Sequence, residues 1–214
     1  MGTYVVRVWL PDRPGALGQV ASRIGAVQGD VVGIEILERG GGSVIDELRV
    51  QLPDASLVEL LVSEIRQVDG VAVEDVRPIG GDRLDGALAT LATATAIVEA
   101  SAESRMATAC LELRGLLDAD WVVAMCVERG AMVAASGSPP AADWIAAFVD
   151  GSQHLSVHSE FTPGDLLSTR LRRGGLALAC GRAGRVFHAR ESDEFRMLAQ
   201  IIDAIDGLGP SADS

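Results

Sequence analysis

The spacing of apolar positions changes repeatedly over the first 80 residues, and each change predicts an element. Residues 3–10 (TYVVRVWL) are β-branched and aromatic-rich, which predicts a strand. Leu17, Val20, Ala21, Ile24 and Val27 then recur at helical spacing until Gly29, which is expected to stop the helix. Two alternating runs, 31–39 and 43–52, surround Gly40, Gly41 and Gly42 and predict a hairpin. Leu57, Leu60, Leu61, Ile65 and Val68 return to helical spacing, with Ser56 as the expected N-cap and Gly70 as the stop. A last strand spans 71–77. The order βαββαβ places both helices on one face of a four-stranded antiparallel sheet, a ferredoxin-like arrangement.

Pro78, Gly80 and Gly81 form a breaker cluster that ends this unit near residue 80. Beyond it, Leu84, Leu88, Leu91, Val98, Ala102, Met106, Ala109 and Leu113 keep a seam with steps of three, four or seven, predicting one long helix from about residue 83 to 117. Strands are expected at 121–128 and 131–137, then a short helix after Pro139 and Pro140. Further strands are expected near 153–160, 165–171 and 175–181, and a final helix at 193–206 capped by Ser192. The expected organisation is two domains, 1–80 and 81–208, with 209–214 as a disordered tail. Helices flanking antiparallel sheets make the class α+β.

One segment of the first unit has the character of a binding site. In LPDRPGALGQV, Asp12, Arg13, Pro14 and Gly15 turn the first strand into the first helix. Pro14 sets the helix entry, and Gly15 lets the backbone approach whatever lies above it. The amides of Gly15, Ala16 and Leu17 would present the positive end of a helix dipole to an anion, with the Asp12 carboxylate beside them. Such a pair matches a zwitterion: amides for its carboxylate, Asp12 for its ammonium. The plainer alternative is a strand-to-helix turn with no ligand.

At that place in a βαββαβ unit the chain resembles the ACT domain family, whose members carry a D/N-x-P-G-x-L turn there. The resemblance covers residues 3–79, including AVQGDVVGIEI. It implies a small-molecule regulatory domain that binds an amino acid between two ACT units. Asp12, Pro14, Gly15, Ala16 and Leu17 would lie on one side and the start of the second strand on the other. It also implies a homodimer, because family members commonly pair into an eight-stranded sheet. Where many amino-acid-binding members have an Asn at the start of the second strand, this chain has Val31 and Val32. A polar grip is missing there. Binding through backbone alone, selection of an apolar side chain and loss of binding all remain open.

Residues 84–206 resemble the GAF fold, on a long N-terminal helix, the strand pair around VVAMCVERGAMVAAS, and the ending RVFHARESDEFRMLAQIIDAI. This resemblance implies a sensor of a small molecule or a platform for a protein partner. Some GAF-fold proteins reduce free methionine sulfoxide through grouped cysteines. Here Cys110, Cys126 and Cys180 are scattered among apolar residues and read as buried small hydrophobes.

Composition narrows the remaining chemistry. All 18 basic residues are arginine, and asparagine is also absent. A P-loop, a Schiff-base lysine and a Cys-His-Asn protease are therefore excluded. The net charge of −12 is spread over both halves, and the one tight basic cluster is Arg170, Arg172 and Arg173, so neither nucleic acid nor an anionic membrane is expected as a partner. No leader-like segment or long apolar run is seen, and a cytoplasmic location is expected. His154 and His158 fall on an expected strand, too far apart for one metal. Gly174 and Gly175 fit a hairpin turn better than a phosphate loop. No cofactor is expected. The sequence therefore points to a non-catalytic regulatory protein that senses an amino acid in its first half and relays it through its second. The alternatives are a ligand-independent dimerisation scaffold and a GAF-centred sensor or reductase.

Overall fold

A computed structural model describes residues 1–80, 85–155, 164–172 and 174–206. The chain divides into two units, Met1–Gly86 and Ala87–Ser214, a few residues beyond the breaker cluster. It is an α+β protein with two four-stranded antiparallel sheets among the described residues.

In the first unit, β1 (Gly2–Pro11), α1 (Ala16–Ala26), β2 (Asp30–Gly40), β3 (Ser43–Leu52), α2 (Val58–Ile65) and β4 (Ala72–Ile79) follow the expected βαββαβ order. The sheet order is β2-β3-β1-β4, a ferredoxin-like topology with β2 and β4 at the edges. Both helices lie on one face. Val20 and Ile24 of α1 and Leu61 and Ile65 of α2 pack on Val6, Val8, Leu48 and Val50, all fully buried. On the other face, Arg7 pairs with Glu47 at 2.7 Å, and Arg77 reaches both Glu47 and Asp75.

Two helix ends differ from expectation in how they are made. The stop of α1 is a Schellman-type turn in which Gln28, not Gly29, takes the left-handed backbone at φ 60°. The Gly29 amide donates to the Ile24 carbonyl at 3.0 Å, and a Cβ on Gly29 would stand 2.8 Å from Ile24 Cγ2. Glycine is needed there for space rather than for its torsion angles. The second helix opens with a 3-10 turn at Ala55–Leu57, and the cap is Asp54, whose carboxylate accepts the Ser56 amide at 2.8 Å. An N-cap acceptor serves amides two or three residues beyond it, and Ser56 is already inside the 3-10 turn, so the capping position falls to Asp54.

The second unit contains α3 (Gly86–Glu99, whose first residue closes the first unit), α4 (Arg105–Leu116), β5 (Trp121–Cys126), β6 (Ala131–Gly137), α5 (Ala142–Leu155), β7 (Leu166–Arg170), β8 (Leu176–Gly181) and α6 (Ala189–Asp206). Its sheet order is β6-β5-β8-β7. All six residues of the central strand β5 are buried, because apolar layers cover both of its faces. Val122 and Leu178 meet Leu113, Phe195 and Ile202 on one side, and Val123 and Met125 meet Ile145 and Val149 on the other.

The single long helix expected over 83–117 is two helices; its first two positions lie outside the described residues. The break is at Ser101. Its carbonyl accepts the Ser104 and Arg105 amides, and its hydroxyl meets Ser104 Oγ at 2.8 Å. A serine that caps a new turn competes with helix continuation. The seam consequently changes phase: Ala109 and Leu113 are buried as expected, while Leu88, Leu91 and Val98 are exposed and α3 buries Thr93 and Ile97 instead.

Residues 153–155, expected to begin a strand, are the last turn of α5, a helix of 14 residues rather than a short one. Residues 156–160, with His158, lie outside the described residues, as do Arg173 and the tail 209–214. The final helix starts at Ala189, so Ser192 sits inside it and is not its cap. Glu191, three residues into the helix, reaches back to accept the His188 amide at 2.9 Å, half of a capping box. The loop holding Gly174 and Gly175 is closed by the Leu171 amide on the Leu176 carbonyl at 2.9 Å.

Candidate functional site

The DRPG segment makes the turn between β1 and α1. Gly15 holds the residue before α1 at φ 86°, in the left-handed region. The Asp12 amide donates to the Gly42 carbonyl at 2.9 Å, which ties the turn to the β2–β3 hairpin. The Ala16 amide is taken by the Arg13 carbonyl at 3.3 Å, so one of the three amides expected to hold an anion is occupied within the turn itself.

Beneath the turn lies a pocket of about 150 Å³. Its walls are aliphatic: Leu10, Ala16, Leu17, Ile34, Ile36 and Val44. Its polar groups are Asp12, Arg13, Arg39 and Asp46. Asp12 and Arg39 face each other at 3.6 Å across the rim, both substantially exposed. Arg13 donates to Gln19 Oε1 at 3.1 Å.

Asp46 differs from these rim groups. It is 4% exposed, and its Oδ1 is buried without a hydrogen-bond partner. Loss of solvent holds the Asp46 carboxyl above its ordinary pKa of 3.8, and the positive charge of Arg39 partly opposes that rise.

Of the residues singled out in the sequence, the structure gathers Asp12, Ala16 and Leu17 around this pocket. Pro14 and Gly15 are exposed on the turn and do not line it. Val31 packs against the core of its own unit, and Val32 is exposed on β2; neither lines the pocket. The second strand contributes Ile34, Ile36 and Arg39 instead. The register explains this. Ile34 stands opposite Leu48 and Ile36 opposite Asp46, with bulges between Val31 and Gly33 and between Ile36 and Glu38 that re-aim the strand.

Asp46 carries a sequence signal of its own. Val44, Asp46, Leu48, Val50 and Leu52 alternate along β3 toward the helices, and an acid interrupts this otherwise aliphatic series.

The three cysteines of the second unit are all free and buried. Burial pushes the Cys110 thiol up to about 11 and raises Cys180 further, which suits packing rather than nucleophilic chemistry. The Cys126 thiol is lowered by the Arg129 guanidinium, whose Nε donates to Sγ at 3.3 Å. In the same unit Arg170 pairs with Asp150. Among the described residues no group of three or more His, Cys, Asp or Glu side chains is placed to hold a metal, and no helix is long and apolar enough to cross a membrane.

No family model matches this chain, and no curated protein matches it. Solved structures with a local likeness include the ACT domain from GTP pyrophosphokinase of Chlorobium tepidum, at 18% identity and a TM-score of 0.30, covering 36% of this chain and 97% of that one. The C-terminal domain of the MgtC protein from Mycobacterium tuberculosis is similar at 18% identity and a TM-score of 0.32, covering 40% and 95%. An unknown protein from Galdieria sulphuraria covers 97% of this chain and 93% of its own, at 11% identity and a TM-score of 0.35.

Proposed function

We propose that the protein is a non-catalytic regulator whose first unit binds a small amino acid at the β1–α1 turn. The observation that carries this reading is the pocket under the turn, with aliphatic walls and a few convergent charges, the general form of a small-ligand site. Its volume of about 150 Å³ equals roughly five waters, below the ~300 Å³ at which drug-sized pockets begin, so it favours a compact ligand. The turn sequence and the ferredoxin-like topology agree with the ACT resemblance.

In this reading the first unit also forms a homodimer. The eleven-residue edge strand β2 exposes Val32, Ile34 and Ile36, a surface that pairing with a second copy would cover. The second unit, a sheet with helices on both faces, is read as GAF-like and passes the ligand state to a protein partner. A ligand moves such an equilibrium only through its different affinity for the two states.

A thermal-shift screen of the twenty amino acids tests the reading. Ligand at a hundred times its dissociation constant is expected to stabilise the protein by about 2.7 kcal/mol, a clear rise in melting temperature. Ile34→Trp, which fills the pocket from a half-exposed wall, is expected to remove the shift. If no amino acid moves the transition at millimolar concentration, sensing is refuted and the scaffold alternative stands.

A further inference from the structure

We propose that Asp46 is the ammonium-binding residue of the turn pocket, which therefore admits a compact ligand carrying a primary ammonium group on an apolar body. This rests on the pocket being a ligand site and adds which chemistry it selects.

The argument begins with the cost of the arrangement. A buried carboxylate oxygen with no partner is unfavourable, and native proteins rarely keep one without a reason. Asp46 Oδ1 is such an atom, in a side chain more than nine-tenths buried that lines the pocket. The groups facing it are aliphatic walls and a rim of Asp12, Arg13 and Arg39. Arg39 is close enough for its charge to act on Asp46, but its ion pair is with Asp12 and Arg13 bonds to Gln19, so neither guanidinium hydrogen-bonds to Asp46 Oδ1. A cation from outside completes the site. Calcium or magnesium asks for about six oxygen ligands, which this aliphatic enclosure does not offer. An ammonium group with a hydrocarbon body asks for one carboxylate and apolar walls.

The charges also set the ligand's direction. Asp46 places negative charge at the buried end, while the mouth carries Arg13 and Arg39 against the single carboxylate of Asp12, a net positive charge. A zwitterion enters ammonium first and leaves its carboxylate near the arginines. This reverses the polarity expected from the turn sequence, in which Asp12 held the ammonium and helix amides the carboxylate.

Three probes separate the roles: L-valine, isobutylamine, which is valine without its carboxylate, and isovalerate, which is valine without its ammonium. Calorimetric titration of the full chain is expected to show valine and isobutylamine binding and isovalerate silent. In Asp46→Asn both affinities are expected to fall about tenfold or more, the loss of one charge-assisted bond. The unliganded variant is expected to melt at or above the wild-type temperature, which shows that it is folded. Isovalerate binding as tightly as valine, full valine affinity in Asp46→Asn, or no binding of either ammonium probe would each overturn the assignment. Valine binding that ignores Asp46→Asn refutes this inference and leaves amino-acid sensing intact. Isobutylamine binding that depends on Asp46, with no amino acid active in the screen, supports it and refutes amino-acid sensing.

Discussion

Each unit buries an acidic side chain, and the two are provided for in opposite ways. Glu191 of the second unit is 5% exposed and fully engaged. Its oxygens accept from Arg182 Nη1 at 2.8 Å, Arg182 Nη2 at 2.9 Å and the His188 amide at 2.9 Å. Arg182 is itself 2% exposed, donates to the carbonyls of Leu117, Arg185 and Val186, and lies 3.9 Å from the centre of the Phe187 ring. This bidentate pair clamps the start of α6 to the end of α4 and to the loop between β8 and α6. Asp46 of the first unit is equally buried, but one oxygen has no partner and a pocket stands beside it. A buried charge whose bonding is complete serves the fold. One left incomplete costs stability unless a ligand completes it, as proposed above for Asp46.

The largest expected effect comes from breaking the completed pair. Arg182→Ala strands the Glu191 carboxylate and is expected to destabilise the protein by about 3–5 kcal/mol, measured by urea unfolding. The double variant Arg182→Met with Glu191→Leu is expected to lose less than Arg182→Ala alone, because it leaves no unpaired charge. A double variant as unstable as the single one would mean that the charges themselves, not their mutual satisfaction, hold the segment.

Asp46→Asn is expected to act in the opposite direction, leaving the unliganded protein at least as stable as wild type near neutral pH, because a neutral amide costs less to bury than a carboxylate. Its pH dependence follows from the raised native pKa. Well below the ordinary value of 3.8 the carboxyl is protonated in both states and no charge is buried. As pH rises, the unfolded chain releases its proton first, so wild-type stability falls until the native carboxyl also ionises, and then stays level. The gap between variant and wild type should therefore open upward from about pH 4. A gap that instead closes with rising pH would show that Asp46 is stabilised as an anion.

The smallest effect belongs to the rim. Asp12→Ala removes an exposed ion pair at 3.6 Å and is expected to change stability by less than about 1 kcal/mol. A loss as large as that in Arg182→Ala would place Asp12 among the structural charges and end the distinction drawn between the two units.

The first unit was largely legible in the chain. Its strands and helices appear at the expected places, because a half-buried strand and an amphipathic helix write periods of two and 3.6 into the sequence. The misjudged features depend on single polar side chains. Asp54 rather than Ser56 opens the second helix, and Glu191 rather than Ser192 secures the last one. Ser101 splits the expected long helix in two. A run of acceptable helix formers does not reveal which hydroxyl or carboxylate will capture a backbone amide. The site was half legible: Asp12, Ala16 and Leu17 follow from the turn, while Ile34, Ile36 and Arg39 depend on bulges in β2.

By itself the sequence determined the α+β class, the βαββαβ order and the turn that forms one side of the pocket, since all three follow from local periodicity and turn chemistry. Only the tertiary structure decided that Glu191 meets Arg182 and that Asp46 meets an aliphatic pocket. Periodicity tells which face of an element is buried. What that face meets is set by strand register, which a single bulge shifts by one residue and thereby exchanges one set of neighbours for another.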